Sequence, residues 1–292
     1  MASQQQNLQQ ERLAPCAILL DKDGVLVDFH TTWKPAIKQA AVCVAIQALK
    51  VMDGNASSAP EEDHDAFVQF PASDQTDIPA YEAHFLATNL LQQVGYDAQQ
   101  DSFLPGSIWA AGTQEELFDT WSKTLPALPR QRIAKIVSEV LRAAEPKPVV
   151  PASRLLPLMR QVRARGCKLA VVTNDLTASA QATARRQGMA DLLDAVIGAD
   201  QCARPKPHPD LVWHASRMLG IPPQRMLMIG DNMHDAEMAR RGACAGFIGV
   251  LSGTSGHDDL APLADAVVED VAAALKCALQ YFMKEKFMIS TP

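Results

Sequence analysis

Three features are scarce in this sequence: closely spaced cysteines, long apolar runs and excess positive charge. The cysteines are scattered, with no close pair of the kind that holds zinc or performs redox exchange, at positions 16, 43, 167, 202, 244 and 277. No segment approaches the roughly 18 continuous apolar residues of a membrane span, and the start has no basic region followed by an apolar stretch. The net charge of -6 gives no electrostatic reason to expect nucleic acid or a membrane surface as a partner. We therefore expect a protein of the reducing cytoplasm that acts on small molecules.

The length of 292 residues predicts one domain with a large insertion, or two domains. Residues 1–12 are expected to form a polar, flexible tail. Helical spacing of small and apolar residues follows over 33–52, around 81–94 and near 131–144, and Thr113 with Glu116 three residues later predicts a capping box. Residues 53–79 are polar and predict a surface loop or a partly ordered insertion. The proline-rich run at 145–151 predicts a linker.

The pattern changes after this linker to alternating helices and short strands. A helix is predicted over 153–165, and strands over 168–172, 195–197 and 226–229, with a similar strand earlier at 16–20. Such alternation predicts an α/β fold with a Rossmann-like parallel sheet. The simplest arrangement is a core of residues 13–30 plus 146–292, interrupted by an all-helical insertion at 31–145.

Polar residues follow four of the predicted core segments. Asp21 and Asp23 follow the first strand, and Gly24 then allows a sharp turn. Further along are Thr173 with Asn174, then Lys206, and last Gly230-Asp231-Asn232 with Asp235. Ligands of parallel sheets gather beyond the carboxyl ends of the strands, so these residues are candidates for one active site.

In order and context, four motifs resemble those of the haloacid dehalogenase superfamily: LLDKDGVLVD, VVTND, RPKPHPD and MIGDNMHD. The closest likeness is to the phosphoglycolate-phosphatase-like branch, in which a helical C1 cap is inserted after the first motif. The resemblance implies a Mg²⁺-dependent phosphatase that hydrolyses a small phosphorylated metabolite, with phosphoglycolate as a candidate. It also implies that the insertion at 31–145 is the cap.

Residue chemistry and the resemblance together suggest a role for each candidate. An aspartate can attack a phosphoryl group to give an aspartyl-phosphate, and Asp21 is the predicted nucleophile. Asp21 and Asp231 would bind Mg²⁺, to which the resemblance adds the backbone carbonyl of Asp23. The resemblance makes Asp23 the general acid and base. Three further residues complete the predicted site: Thr173 and the Asn174 amide contact the phosphoryl oxygens, and Lys206 neutralises charge.

Some roles remain open at this stage. Asp235 could orient Lys206 or support metal-bound water, and the role of Asn232 is not fixed. One of residues 30–33 is expected to contact the site, whereas His234 is expected to be an exposed helix residue. Trp109 and Trp121 are expected in the core of the insertion.

Two other functions fit the same motifs. A phosphomutase of the β-phosphoglucomutase type would pass the phosphoryl group to a second sugar hydroxyl instead of water. A non-catalytic protein could keep the fold to bind a phosphorylated ligand, although it would have little need of both a nucleophile and an acid/base. The oligomeric state does not follow from the sequence.

Overall fold

A computed structural model describes residues 17–54 and 80–289 of the chain, with side chains described as far as residue 280. The predicted tail at 1–12, Cys16 and residues 55–79 of the predicted polar loop lie outside the described residues. The strands are β1 Ala17–Leu20, β2 Tyr96–Asp97, β3 Ser102–Phe103, β4 Lys168–Val172, β5 Ala195–Ile197, β6 Met226–Gly230, β7 Gly246–Val250 and β8 Ala266–Val268. The α-helices are α1 Phe29–Met52, α2 Ala80–Gln93, α3 Ile108–Ala111, α4 Gln114–Thr124, α5 Arg130–Ala143, α6 Ala152–Arg163, α7 Thr177–Arg186, α8 Asp210–Leu219, α9 Met233–Arg241, α10 His257–Leu260 and α11 Val271–Ile289.

Six parallel strands form the main sheet, in the order β5-β4-β1-β6-β7-β8. Counted along the sheet's own strands this is the order 3-2-1-4-5-6 of a Rossmann fold, so the predicted α/β class is confirmed. Strand β1 lies in the centre, where Leu20 pairs with Val171 of β4 on one side and with Ile229 of β6 on the other. The strand order reverses between β1 and β6, which is where ligands bind in such sheets.

Helices cover both faces of this sheet, which explains why β1 is apolar at every position. Leu155 and Met159 of α6, with Leu275 of α11, are buried against one face. Leu211 of α8 and Met238 of α9 are buried against the other. A parallel strand enclosed on both sides has no exposed face and therefore shows no alternation of polar and apolar residues.

Helices α1, α2, α4 and α5 pack on one another around a separate apolar core. Trp121 of α4 is fully buried there, and its indole Nε1 donates to the Leu90 carbonyl at 2.9 Å. The predicted capping box of α4 is present between Thr113 and Glu116. One feature departs from the predicted all-helical insertion: β2 and β3 form an antiparallel pair of two residues each, too short to produce a period-2 sequence pattern.

Helix α1 begins at Phe29, two residues before the predicted start of the insertion at 31, because Asp28 caps it by accepting from the Thr31 amide at 2.9 Å. Among the described helices, α1 has the length and mean hydropathy to cross a membrane. Its buried face, which includes Ile37 and Val44, packs within the core of the insertion against α2 and α5. The boundaries at 31 and 145 remain predictions.

Candidate active site

The predicted site residues converge at the carboxyl end of the sheet. A cavity of about 470 Å³ opens there between the helical insertion and the core. Six of the predicted residues line it, namely Asp21, Asp23, Thr173, Asn174, Lys206 and Asp235. Asp231 is buried beside the cavity, with its carboxylate close to those of Asp21 and Asp235. The topology thus brings all the predicted side chains to one place, as expected for the ends of adjacent parallel strands.

Lys206 connects the two carboxylates nearest to it. Its Nζ lies 2.6 Å from Asp21 Oδ1 and 2.7 Å from Asp235 Oδ1, and all three side chains are largely buried. Burial opposes the charge of the ammonium, but Asp21 and Asp235 together outweigh this effect and raise the pKa of Lys206. The lysine is therefore charged at any physiological pH and neutralises part of the acidic cluster.

Asn174 fixes the backbone of the loop that carries Lys206. Its side-chain Oδ1 accepts from the Lys206 amide at 2.8 Å, and its Nδ2 donates to the Lys206 carbonyl at 3.3 Å. The sequence assigned the backbone amide of Asn174 to phosphoryl oxygens, whereas these contacts give its side chain a separate task. Thr173 is buried at the same strand end, and its hydroxyl accepts from the Asp175 amide at 3.1 Å.

Asp21, Asp231 and Asp235 form a buried acidic cluster in which one ligand oxygen from each lies within 4.8 Å of the others. Burial, followed by the charges of Asp21 and Asp235, holds the pKa of Asp231 well above its usual range. Burial likewise raises the pKa of Asp21 to about 6 despite Lys206. In the part of the chain that the structure describes, no basic side chain pairs with Asp231. The cluster therefore keeps an excess of negative charge beyond what Lys206 compensates, and its oxygen donors suit a hard divalent cation.

The Asp231 carboxylate is enclosed by backbone. Its Oδ2 accepts from the Thr254 amide at 2.9 Å, and Asn232 Nδ2 donates to the Thr254 hydroxyl at 3.2 Å. A Cβ added at Gly24 would lie 2.5 Å from the Asp231 carboxylate, and Gly24 also has a φ of +78°. Glycine is thus required on both grounds directly after the first motif. Asn232 also caps α9 by accepting from the His234 amide, which gives this residue a structural role.

A second charged group on the cavity wall was missed in the sequence. Lys22 is 1% exposed, and its Nζ lies 2.9 Å from Asp23 Oδ1 and 2.8 Å from Asp175 Oδ2. Burial opposes this charge too, but Asp23 and Asp175 together raise the pKa of Lys22. The pKa of Asp23 is raised, chiefly by burial, whereas Lys22 outweighs burial at Asp175 and lowers its pKa. The available signal was a lysine between two aspartates, at a position that a buried strand end would otherwise fill with an apolar residue.

Two of residues 30–33 reach the site, in agreement with the expectation for that segment. The Trp33 indole Nε1 donates to Asp23 Oδ1 at 2.5 Å, and its ring lies 4.9 Å from Lys22 Nζ. His30 Nε2 lies 3.1 Å from the carbonyl oxygen of Gly253, in the loop that covers Asp231. The start of α1 is therefore part of the cavity wall.

The α3–α4 loop, with the residues at its two ends, forms the opposite wall of the cavity. Asn174 Nδ2 donates to the Ala111 carbonyl at 2.8 Å, and Gln114 Nε2 donates to Asp175 Oδ1 at 3.2 Å. His234 also hydrogen-bonds the Ala111 backbone, and burial lowers its pKa. The expectation that His234 is exposed was wrong: it is half-buried and lines the cavity, because α9 begins beneath this loop. Trp121 lies in the core of the insertion as expected, and Trp109 packs against that core while also lining the cavity.

The sequence profile of the haloacid dehalogenase-like hydrolases matches residues 17–242. The chain belongs to this family. The predicted family and hydrolase class are thereby confirmed, and all the predicted site residues lie within the matched segment. Membership in the haloacid dehalogenase family agrees with the Rossmann-like sheet described above. The acidic cluster lies at the point where the strand order of this sheet reverses.

Similar proteins include several that are named as phosphatases. The chain is 34% identical over 123 residues to the probable phosphatase IndB of Dickeya dadantii, a match covering 42% of this chain and 53% of that protein. It is 31% identical over 150 residues to the phosphoglycolate phosphatase of Nitrosospira multiformis, covering 48% of this chain and 66% of the relative. The chain thus spans about half to two thirds of these curated relatives.

Solved structures share the fold over most of the chain. The structure of a predicted phosphoglycolate phosphatase from Haemophilus somnus has a TM-score of 0.55 at 18% identity, covering 90% of this chain and 98% of its own. A putative β-phosphoglucomutase from Thermotoga maritima has a TM-score of 0.54 at 19% identity, covering 89% and 98%. At these identities the likeness concerns the fold of the haloacid dehalogenase-like proteins alone.

Proposed function

We propose that this protein is a Mg²⁺-dependent cytoplasmic phosphatase that hydrolyses a small phosphomonoester through an aspartyl-phosphate. The supporting observation is the buried pair of Asp21 and Lys206 beside the acidic cluster, on the wall of the cavity. A carboxylate can approach an anionic phosphoryl group only where cationic charge compensates the repulsion. Lys206 supplies one such charge, and a cation bound by the cluster would supply the rest.

The reaction would proceed in two displacements. In the first, an oxygen of the Asp21 carboxylate attacks phosphorus, the bond from phosphorus to the leaving oxygen breaks, and Asp23 gives its proton to the departing alcohol. In the second, Asp23 takes a proton from water, whose oxygen attacks the phosphorus of the aspartyl-phosphate. Inorganic phosphate leaves and the Asp21 carboxylate is regenerated. Thr173 would donate its hydroxyl to a phosphoryl oxygen throughout.

The residues present fit Mg²⁺. Asp21 and Asp231 would be direct ligands, together with the backbone carbonyl of Asp23, and Asp235 would act through water because Lys206 engages its Oδ1 and the Asn232 amide donates to its Oδ2. Bound there, Mg²⁺ would supply positive charge to the phosphoryl oxygens. Removal of the metal is expected to leave Asp21 facing its substrate with Lys206 as the principal countercharge.

The substrate is proposed to be a small phosphorylated metabolite with a second negative charge, for which phosphoglycolate is the candidate. A cavity of about 470 Å³ is of the size that holds small metabolites. Arg142 of α5 and Arg186 of α7 line it, and neither forms an ion pair with a described acidic residue. The relatives named as phosphoglycolate phosphatases support the same candidate.

The experiment is phosphate release from a panel of phosphorylated metabolites and 4-nitrophenyl phosphate, in Mg²⁺ or in chelator. Wild-type protein is expected to release phosphate only with Mg²⁺, and Asp21→Asn is expected to abolish release while remaining folded by circular dichroism. Asp258→Asn, at a fully exposed position, is the matched control. Formation of an isomerised sugar phosphate instead of free phosphate would identify a phosphomutase. Saturable ligand binding without turnover in Mg²⁺ would identify a binding protein.

A further inference from the structure

We propose that Lys22 is a positioning residue that holds the carboxylate of Asp23 so that one oxygen faces the leaving group. The inference rests on the proposed function, since it assigns a task to Asp23 as the acid. It concerns a residue that does not itself touch the reacting atoms. Its basis is the set of contacts among Lys22, Trp33, Asp23 and Asp175 at the cavity wall.

The burial of Lys22 is the first argument. Lysine is almost never fully buried unless it is paired, because removing an ammonium from water is costly. Lys22 is 1% exposed, and both carboxylates that compensate it, Asp23 and Asp175, line the cavity. A leucine could fill this buried position after β1 without that cost, so the lysine is explained by its pairing with these two carboxylates.

The second argument is how the two oxygens of Asp23 differ. Oδ1 is contacted by Lys22 Nζ at 2.9 Å and accepts from Trp33 Nε1 at 2.5 Å. Among the described residues, no donor reaches Oδ2. The Asp23 side chain is 26% exposed and lies on the cavity wall. An ion pair and an indole hydrogen bond on the same oxygen fix the rotation of the carboxylate and leave the other oxygen to exchange a proton with substrate.

The third argument is that the same group connects three segments around the cavity. Asp175 follows β4, and its Oδ1 accepts from Gln114 Nε2 at 3.2 Å and from the Leu176 amide at 2.7 Å. Gln114 belongs to α4, and Trp33 belongs to α1. Lys22 therefore ties Asp23, through Asp175, to the cavity wall formed by α4, while Trp33 ties it to the wall formed by α1. Loss of Lys22 should therefore disturb the alignment of Asp23 more than it weakens the binding of substrate.

The test compares two leaving groups in single-turnover reactions, which isolate the first displacement. An alkyl phosphomonoester needs the proton from Asp23, whereas 4-nitrophenolate departs without one. In Lys22→Met, the rate of alcohol release is expected to fall about 100-fold and that of 4-nitrophenolate less than about fivefold. The KM for the alkyl ester is expected to stay within about threefold, and Lys22→Arg is expected to recover part of the lost rate. Lys123→Met, an exposed lysine of α4, is the control.

Equal losses for the two leaving groups, or no loss in Lys22→Met, would overturn the role of Lys22 while leaving the phosphatase proposal intact. A wild-type protein that releases neither product would instead overturn the phosphatase proposal. Trp33→Phe provides a second route if Lys22→Met does not fold, because it keeps an aromatic ring at this position and removes the indole donor to Asp23 Oδ1. The same selective loss for alkyl esters, of smaller size, is expected from it. An unselective loss would contradict the proposal.

Discussion

At the scale of single residues, the buried positive and negative charges of the site are not fully balanced. Lys22 is matched by two carboxylates, whereas Lys206 serves Asp21 and Asp235 and leaves Asp231 without a basic partner among the described residues. A buried carboxylate without compensation favours its protonated form. The uncompensated charge therefore destabilises the metal-free protein, and it is also what would attract a divalent cation.

This balance predicts how stability depends on pH in chelator. The pKa of Asp21 rises from 3.8 to about 6 on folding, so the folded state holds more protons than the unfolded state between these values. The free energy of unfolding is therefore expected to fall as the pH rises from about 4 to about 7. Asp21 alone would contribute on the order of 3 kcal/mol, at 1.36 kcal/mol for each pKa unit.

Urea unfolding across this pH range would measure the effect, with Asp231→Asn as the comparison. The variant lacks one uncompensated charge, so its stability should fall less steeply and exceed that of the wild type near neutral pH. Mg²⁺ should reverse the order, because a cation that binds only the folded protein stabilises it. Parallel curves for the two proteins in chelator would contradict this account.

At the scale of elements, local sequence signals specify where helices begin. The capping box at Thr113 was predicted from its spacing to Glu116 and is present at the start of α4. At α9, Asn232 and Asp235 form a similar box, in which Asp235 Oδ2 accepts from the Asn232 amide at 3.3 Å while its Oδ1 contacts Lys206. One side chain thus both starts a helix and orients a lysine of the site.

Removal of the cap of α4 should cost stability. Thr113→Ala is expected to lower the free energy of unfolding by about 1 kcal/mol, because the Glu116 amide would lose its side-chain acceptor. Thr113→Ser should retain most of the stability, since it keeps the hydroxyl oxygen. Chemical denaturation of the three proteins would test this. Equal stability of the alanine and wild-type proteins would show that the box contributes nothing.

Two strands of the main sheet, β7 and β8, were not predicted from the sequence, although β5 at the opposite edge was. Strands β1, β4 and β6 were predicted because they are short apolar runs followed by polar residues. Strand β7 contains two glycines, a residue type depleted in strands, and β8 is only three residues long, as is β5. The conformation of β7 and β8 is set by pairing with β6 and with each other, which is a tertiary effect that propensity does not report.

At the scale of the whole molecule, the cavity is shared by segments from opposite sides. The loop at Ala111 and Gln114 bonds to Asn174 and Asp175 at the end of β4, while α1 supplies Trp33. A site assembled in this way excludes water when the segments meet, which favours transfer to the intended acceptor. The helical insertion thereby contributes residues to the cavity wall.

Arg142 of α5 and Arg186 of α7 both line the cavity. Replacing them tests whether they recognise the second negative charge of the substrate. Replacing either by glutamine is expected to raise the KM for phosphoglycolate about tenfold, because the second negative charge of the substrate would lose a partner. The KM for 4-nitrophenyl phosphate, which has no such charge, should change less than about threefold. Arg240→Gln, at a position 74% exposed, is the control. Equal changes for both substrates would exclude these arginines from recognising the second charge.

The sequence by itself determined the fold class, the family and the residues at the strand ends. These follow from local order: an apolar strand, then a fixed run of polar side chains, repeated at β1, β4 and β6. Only the tertiary structure decided that Lys22 lies between Asp23 and Asp175, and that Trp33 and His234 line the same cavity. Asp23 and Asp175 are distant in the chain, and β1 and β4 become neighbours only when the sheet forms. Burial and charge pairing are properties of that assembled arrangement, so no spacing in the sequence could report them.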